Sequence, residues 1–265
     1  MPTLAFNFIR STLVTFYAFL ILFFIGNWKS FFTIDLITIV IMGISSILVL
    51  AVGDSLYFIG LKSIGVTKTV PIAYSYSILV IFLSALILEE EITLAIILGT
   101  SAIILGVWFV ANKALDKTQN SNTSMLGVFA GIGTTLCWGV GVVLFKIILN
   151  NNDPLVLSAG RMIFLLPTLA IGSTIYHFKK PSRKKWTKKQ LILALFSGLI
   201  ALGIGDTLLY LGLDSANINI VAPLTSTTPI FSAIIAVFFL GENVSIKIII
   251  GTVLVTTGTM LLFIQ

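Results

Sequence analysis

The chain has 265 residues, 57% of them hydrophobic and 10% charged, with a net charge of +6. A soluble domain carries about 25% charge, so composition excludes a water-soluble fold and points to a lipid bilayer. The one cysteine, Cys137, excludes an intrachain disulfide and a cysteine-held metal, and the one histidine, His177, has no partner near it in sequence.

Apolar runs of roughly 20 residues, each long enough to cross a bilayer, recur along the chain. They predict helices at about 4–25, 35–60, 69–88, 93–112, 126–149, 155–177, 191–212, 220–240 and 246–264. The runs are continuously apolar rather than alternating, which excludes a strand barrel. The expected fold is an all-α membrane protein, a polytopic bundle of about nine transmembrane helices, multi-pass in the cell membrane. The longest connections are 113–125 and 178–190. The second holds Lys179, Lys180, Arg183, Lys184, Lys185, Lys188 and Lys189. Between two spans such a run marks a cytoplasmic loop facing anionic headgroups rather than a nucleic-acid site. Loops 61–68 and 113–125 then fall on the same side, and Gln265 falls outside.

Residues 53–107 align without a gap on 205–259, an offset of 152, with 15 of 55 pairs identical. Nine identities are not apolar: Gly53/Gly205, Asp54/Asp206, Gly60/Gly212, Ser63/Ser215, Pro71/Pro223, Glu90/Glu242, Gly99/Gly251, Thr100/Thr252 and Gly106/Gly258. An internal repeat in a membrane chain points to a transporter. Five crossings separate the two copies, and an odd number turns the second upside down. The expected organisation is therefore two inverted repeats, 1–112 with four helices and 126–265 with five, joined by 113–125. Met1-Pro2-Thr3-Leu4 followed by Arg10 resembles Asp153-Pro154-Leu155-Val156 followed by Arg161, allowing a one-residue gap. This predicts that the first repeat lacks its opening helix; a true nine-helix variant is the alternative.

A charge at a helix centre costs roughly 2.5–3.5 kcal/mol on insertion scales, so it lines a cavity or finds a partner. Asp206 lies about 22 Å into its run at 1.5 Å per residue. Asp54 and Asp206 either carry a coupling proton or hydrogen-bond a neighbouring helix. Gly53 and Gly205 beside them are expected to let another helix approach closely. Arg10 and Arg161 either bind a substrate carboxylate or phosphate, snorkel, or pair with an aspartate. Thr225, Ser226, Thr227 and Thr228, with Tyr74, Ser75, Tyr76 and Ser77 in the other copy, either bind a polar solute or pack helix on helix. Pro71 and Pro223 are read as helix starts or hinges, and Pro229 as a deeper break that frees a carbonyl. Glu90 and Glu242 sit at corners, as caps on the following helix or as gates. Trp138 lines or packs, Lys146 snorkels, and Gly99, Gly106, Gly251 and Gly258 are close-packing contacts.

Several of these residues form a pattern that resembles the EamA domain of the drug/metabolite transporter superfamily. They are Trp138-Gly139 with Lys146, Arg161, Ala222-Pro223, Pro229, Gly241-Glu242 and the spaced glycines. The first copy departs from the pattern at Ser77, opposite Pro229, and at Glu89, opposite Gly241. The resemblance implies ten helices in two inverted repeats, cytoplasmic termini, and a central cavity open to one side at a time. It also implies movement of amino acids, sugars, nucleotide sugars or drugs. The termini it implies conflict with the charge count above.

The resulting expectation is a secondary transporter of a small metabolite by alternating access, proton-coupled or exchanging. The proton would pass through Asp54 or Asp206, with Glu90 and Glu242 as second choices. No Walker motif, metal cluster or nucleotide fingerprint occurs in the sequence. The expected partners are a small-molecule substrate, lipid and protons, with no cofactor, metal or nucleic acid, in a monomer or homodimer. An enzyme is not expected, because the acids are spread singly. The alternatives are a non-transporting receptor or scaffold, and an inactive truncated transporter.

Overall fold

In lipid the backbone must satisfy its own hydrogen bonds, so apolar runs of this length become helices. The computed structural model describes residues 3–25, 28–111, 125–179, 186–231, 235 and 246–263, and no strand occurs among them. Helix α1 (Thr3–Ile25) is followed by a 3₁₀ turn at Trp28–Phe32 and α2 (Leu36–Ser46). Seven residues of π-helix (Ile47–Gly53) lead into α3 (Asp54–Tyr74), then come α4 (Tyr76–Ile87) and α5 (Leu94–Ala111). The second half runs α6 (Met125–Leu149), α7 (Pro154–Lys179), α8 (Lys188–Gly198), π-helix Leu199–Gly205, α9 (Asp206–Ser215), α10 (Ile218–Thr225) and α11 (Ile246–Leu262). Glu242, Gly241, residues 113–124 and the centre of the basic loop lie outside the described residues.

Among the described residues, six stretches are long and apolar enough to cross a membrane: Thr3–Phe24, Leu36–Val66, Lys68–Ile87, Met125–Leu149, Pro154–Phe178 and Lys188–Ser215. Leu94–Phe109 and Ile249–Leu262 are shorter apolar helices. The chain is a multi-pass, all-α membrane protein.

Helix starts follow local chemistry. Asp35 caps α2, accepting from the Thr38 amide at 3.0 Å and the Thr38 hydroxyl at 2.6 Å. These bonds, the hydroxyl's first, hold its carboxyl below the usual carboxylate range. Thr187 and Gln190 form a reciprocal capping box at α8.

Irregularities recur at the repeat offset. The two π-helical segments each end on the glycine before an aspartate, Asp54 or Asp206. Farther along, α3 breaks at Gly65 (φ 76, ψ 171), while α9 and α10 part at Asn217 (φ −64, ψ 140). The same break is made once by a left-handed glycine and once by an extended asparagine.

The prolines differ from the simplest expectation. Pro71 and Pro223 lie inside helices, which end three and two residues later, rather than opening them. Pro229 instead falls in the first turn of a new helical stretch at 228–231. A missing N–H costs nothing there, so the expected carbonyl-freeing break is not at Pro229.

The chain divides into two compact units. One is Met1–Ser55 with Leu144–Ser215, the other Leu56–Val143 with Ala216–Gln265. Each draws on both sequence halves, so a compact unit and a sequence copy are different divisions of the chain. In the first unit, Val14, Ala18 and Leu22 of α1 share a core with Val156, Met162, Leu165 and Leu169 of α7. There α1 also meets α8 at Gly198, where a Cβ would collide with the Arg10 carbonyl. The residue equivalent to Gly198 is Ser46, and its hydroxyl donates to the Arg161 carbonyl at 2.8 Å. Gly205, by contrast, has only its own turn nearby, the Ile200 carbonyl. Close approach in that stretch therefore belongs to Gly198 and, against the Tyr17 ring, to Gly203, and not, as expected, to Gly205.

In the second unit α5 packs on α11 through crossed glycines. A Cβ at Gly99 would lie 2.8 Å from the Gly258 carbonyl oxygen, and one at Gly106 would lie 2.6 Å from that of Gly251. Small residues let helices approach until backbones touch, which lipid-embedded helices need because they gain no hydrophobic driving force from each other.

Candidate functional site

The first unit holds an arginine and an aspartate from each copy. Arg10, Asp54, Arg161 and Asp206 all lie within spanning stretches. The Arg10 guanidinium donates to Asp54 Oδ2 at 2.7 Å, an ion pair with side chains 11% and 9% exposed. Asn7, fully buried, donates to the Leu50 carbonyl at 2.8 Å and so ties α1 to the π-helical segment before Asp54.

The second copy makes the equivalent connection differently. Arg161 is 1% exposed and donates to the Tyr210 hydroxyl and, at 3.3 Å, to the Ser45 carbonyl. Tyr210 in turn donates to Asp206 Oδ2 at 3.2 Å. The guanidinium carbon lies 4.8 Å from the Phe145 ring centre and 5.1 Å from that of Tyr210, and those rings are 4.3 Å apart. Stacking on aromatic faces offsets part of the cost of burying a cation. Position 210 corresponds to Phe58 in the first copy, which has no hydroxyl to interpose. A direct ion pair in one copy is therefore a relay through a phenol in the other. Lys146 does not snorkel: it donates to the Leu213 carbonyl near the end of α9.

The second unit holds an uncharged aromatic cluster. Around Trp138 stand Tyr57, Tyr74 and Tyr76, with ring centres 5.2, 5.8 and 5.9 Å away. The hydroxyls of Tyr76 and Thr225 share a hydrogen bond. Ser226 donates to the Tyr74 carbonyl at 3.1 Å, joining two positions that the repeat makes equivalent. Ser75, Ser77, Thr227 and Thr228 donate to carbonyls three residues back in their own turns. These hydroxyls therefore satisfy carbonyls at the breaks in the chain.

Glu90 sits at its expected corner, but its partner is not the following helix. Its two carboxylate oxygens accept from the amides of Ile218 and Asn219, each at 3.0 Å, at the start of α10. Asn219 returns a bond to the Glu91 carbonyl at 3.0 Å. An acid at a helix N-terminus satisfies open amides and faces the positive end of the helix dipole. Beside it, Glu89 has φ 56, a left-handed conformation at the position where the second copy carries Gly241.

Sequence reasoning missed Tyr210, Phe145, Asn7 and Tyr57. For Tyr210 a signal existed, the Tyr/Phe difference at equivalent positions. Nothing local marks the other three.

Helices that cross the bilayer several times and hold ionisable groups within their spans define a class, the polytopic membrane proteins from which transporters are drawn. Comparison with known proteins narrows this. The model of the EamA-like transporter family matches residues 1–112 and 125–264. An Archaeoglobus fulgidus protein named "Uncharacterized transporter" is 24% identical over 230 residues, covering 86% of this chain and 77% of its own. A Bacillus cereus "Putative sugar uptake protein" is 30% identical over 231 residues, covering 85% and 79%. A solved crystal structure shares the fold at a TM-score of 0.82 and 16% identity, covering all of this chain and 88% of that one. The chain belongs to the EamA-like transporter family and is a membrane transporter with a small-molecule substrate.

Proposed function

We propose that the chain is a secondary transporter that moves a small, neutral, polar solute by alternating access, and that the solute is a sugar. The observation that carries the solute class is the uncharged cluster of Trp138, Tyr57, Tyr74 and Tyr76 within membrane-spanning helices. Aromatic faces stack on the apolar faces of a sugar ring, while nearby hydroxyl oxygens accept its hydroxyl protons. The name of the Bacillus cereus relative supports the same class.

Two inverted repeats are part of this reading. Supporting them are two separate family matches in one chain, π-helical segments at the same offset, and the crossed contacts Gly99–Gly258 and Gly106–Gly251. Each of those two contacts maps onto the other when the copies are exchanged, as a two-fold axis between α5 and α11 requires. Energy comes from a proton gradient acting on the aspartates within the spanning stretches, or from exchange.

The test is Trp138→Leu, which keeps an apolar side chain and removes the stacking face. In liposomes containing the purified chain it should raise the KM for the best monosaccharide about tenfold, equivalent to about 1.4 kcal/mol, with kcat less affected. An unchanged KM would remove this cluster from the solute site.

A further inference from the structure

The two copies place the same charged residues in different surroundings. Asp54 has a guanidinium nitrogen at 2.7 Å and is 6% exposed. Asp206 is only partly buried, and among the described residues no Lys or Arg nitrogen lies within 4.0 Å of it. Its link to Arg161 runs through the Tyr210 hydroxyl.

We propose that the copies divide the work. Asp206 binds and releases the coupling proton, Tyr210 is the residue that positions it against Arg161, and Arg10 with Asp54 is a fixed structural pair. This deepens the transporter reading above and rests on it.

The groups that face Asp206 set its behaviour. Arg161 comes from α7 and Tyr210 from α9 itself, and Arg10 and Asp54 also act on Asp206 electrostatically. Lys146 of α6 is bound to the Leu213 carbonyl farther along α9. A proton arriving from water on one side bonds to an Asp206 carboxylate oxygen and later leaves to water on the other side. While it is bound, the Arg161 guanidinium meets only neutral acceptors among the described residues, the Tyr210 hydroxyl and the Ser45 carbonyl. The site then carries one more positive charge in a low-dielectric setting, a difference large enough to bias two conformations. In the first copy a proton would have to displace Arg10 from a buried ion pair, which is strongly disfavoured. The hydroxyl matters because it separates cation from carboxylate while keeping both hydrogen-bonded. Phe58, at the corresponding place, cannot do this.

Infrared difference spectroscopy on the purified full chain in liposomes tests this without any solute. Lowering the bath pH stepwise through the physiological range should raise a protonated-carboxyl C=O band in the unaltered protein. Asp206→Asn should lose that band and Asp206→Glu should keep it. Arg10→Met with Asp54→Leu should also keep it. Tyr210→Phe, which leaves the ring on Phe145 and Arg161, should keep the band and displace its midpoint, which a packing role alone would not do. A band that survives Asp206→Asn, disappears in the Arg10/Asp54 double variant, or ignores Tyr210→Phe overturns the proposal. Because the readout is proton binding, these outcomes are independent of whether a sugar crosses the membrane.

Discussion

Arg10 and Asp54 illustrate what a buried ion pair does and does not contribute. Their side chains are about nine-tenths buried and bonded at 2.7 Å. Removing one partner leaves the other charge uncompensated, so Asp54→Ala alone should destabilise the protein by about 3–5 kcal/mol. Replacing both, as Arg10→Met with Asp54→Leu, should cost far less, because two well-packed apolar groups often match a buried pair. Reversible unfolding of the purified protein in mixed micelles, followed by tryptophan fluorescence, measures both. Equal losses for the single and double variants would show that the pair is not a unit. Both residues stood out in the sequence as charges inside apolar runs, and pairing was among the readings they allowed. Tyr210 was less legible: a tyrosine near a helix end is ordinary, and its meaning emerges only when its hydroxyl lies between Arg161 and Asp206. Glu89 lies between these cases. Its mismatch with Gly241 was visible, but its own left-handed backbone was not.

At the scale of helices, two glycines separate two mechanisms. Gly65 has φ 76 and open space where a Cβ would go. Gly65→Ala should therefore cost about 1–3 kcal/mol, from the positive-φ backbone alone. Gly258 is helical, but a Cβ there would lie 2.5 Å from the Gly99 carbonyl oxygen. Gly258→Ala should cost about 1–3 kcal/mol by forcing α5 and α11 apart. A second change on α5 that makes room, Ile103→Ala, should relieve part of the Gly258 defect, since the added Cβ also meets Ile103. It should leave the Gly65 defect untouched, as a double-mutant cycle in the same unfolding assay will show. The all-α fold was readable because continuous apolar runs have one structural solution in lipid; the break at Ser75 inside the expected run 69–88, and the helical 61–68 expected as a loop, were not. The π-helical segments were not, since seven apolar residues carry no mark of their hydrogen-bond register. Nor was the partner of Glu90, because α10 begins 128 residues away and the bond depends on tertiary folding.

At the scale of the whole molecule, the internal repeat explains why features come in pairs and why the pairs are unequal. The π-helical segments, the breaks at Gly65 and Asn217, and the contacts of Gly198 and Ser46 recur at equivalent places. What differs is chemical: a phenol beside one aspartate and a phenyl ring in its place in the other copy. Fold class and family were legible from composition, run length and spaced glycines, which depend on bilayer thickness and close packing. The basis of the proposed solute class was not, because the rings of Tyr57, Tyr74 and Tyr76 come together around Trp138 only in the folded chain. The central claim is that this chain carries solute without ATP. The direct measurement is uptake of a panel of labelled monosaccharides into liposomes that contain only the purified protein. Uptake should be saturable, accelerated by unlabelled sugar trapped inside and responsive to an imposed pH gradient. Uptake indistinguishable from protein-free liposomes for every sugar, with folded protein present in the membrane, would contradict it.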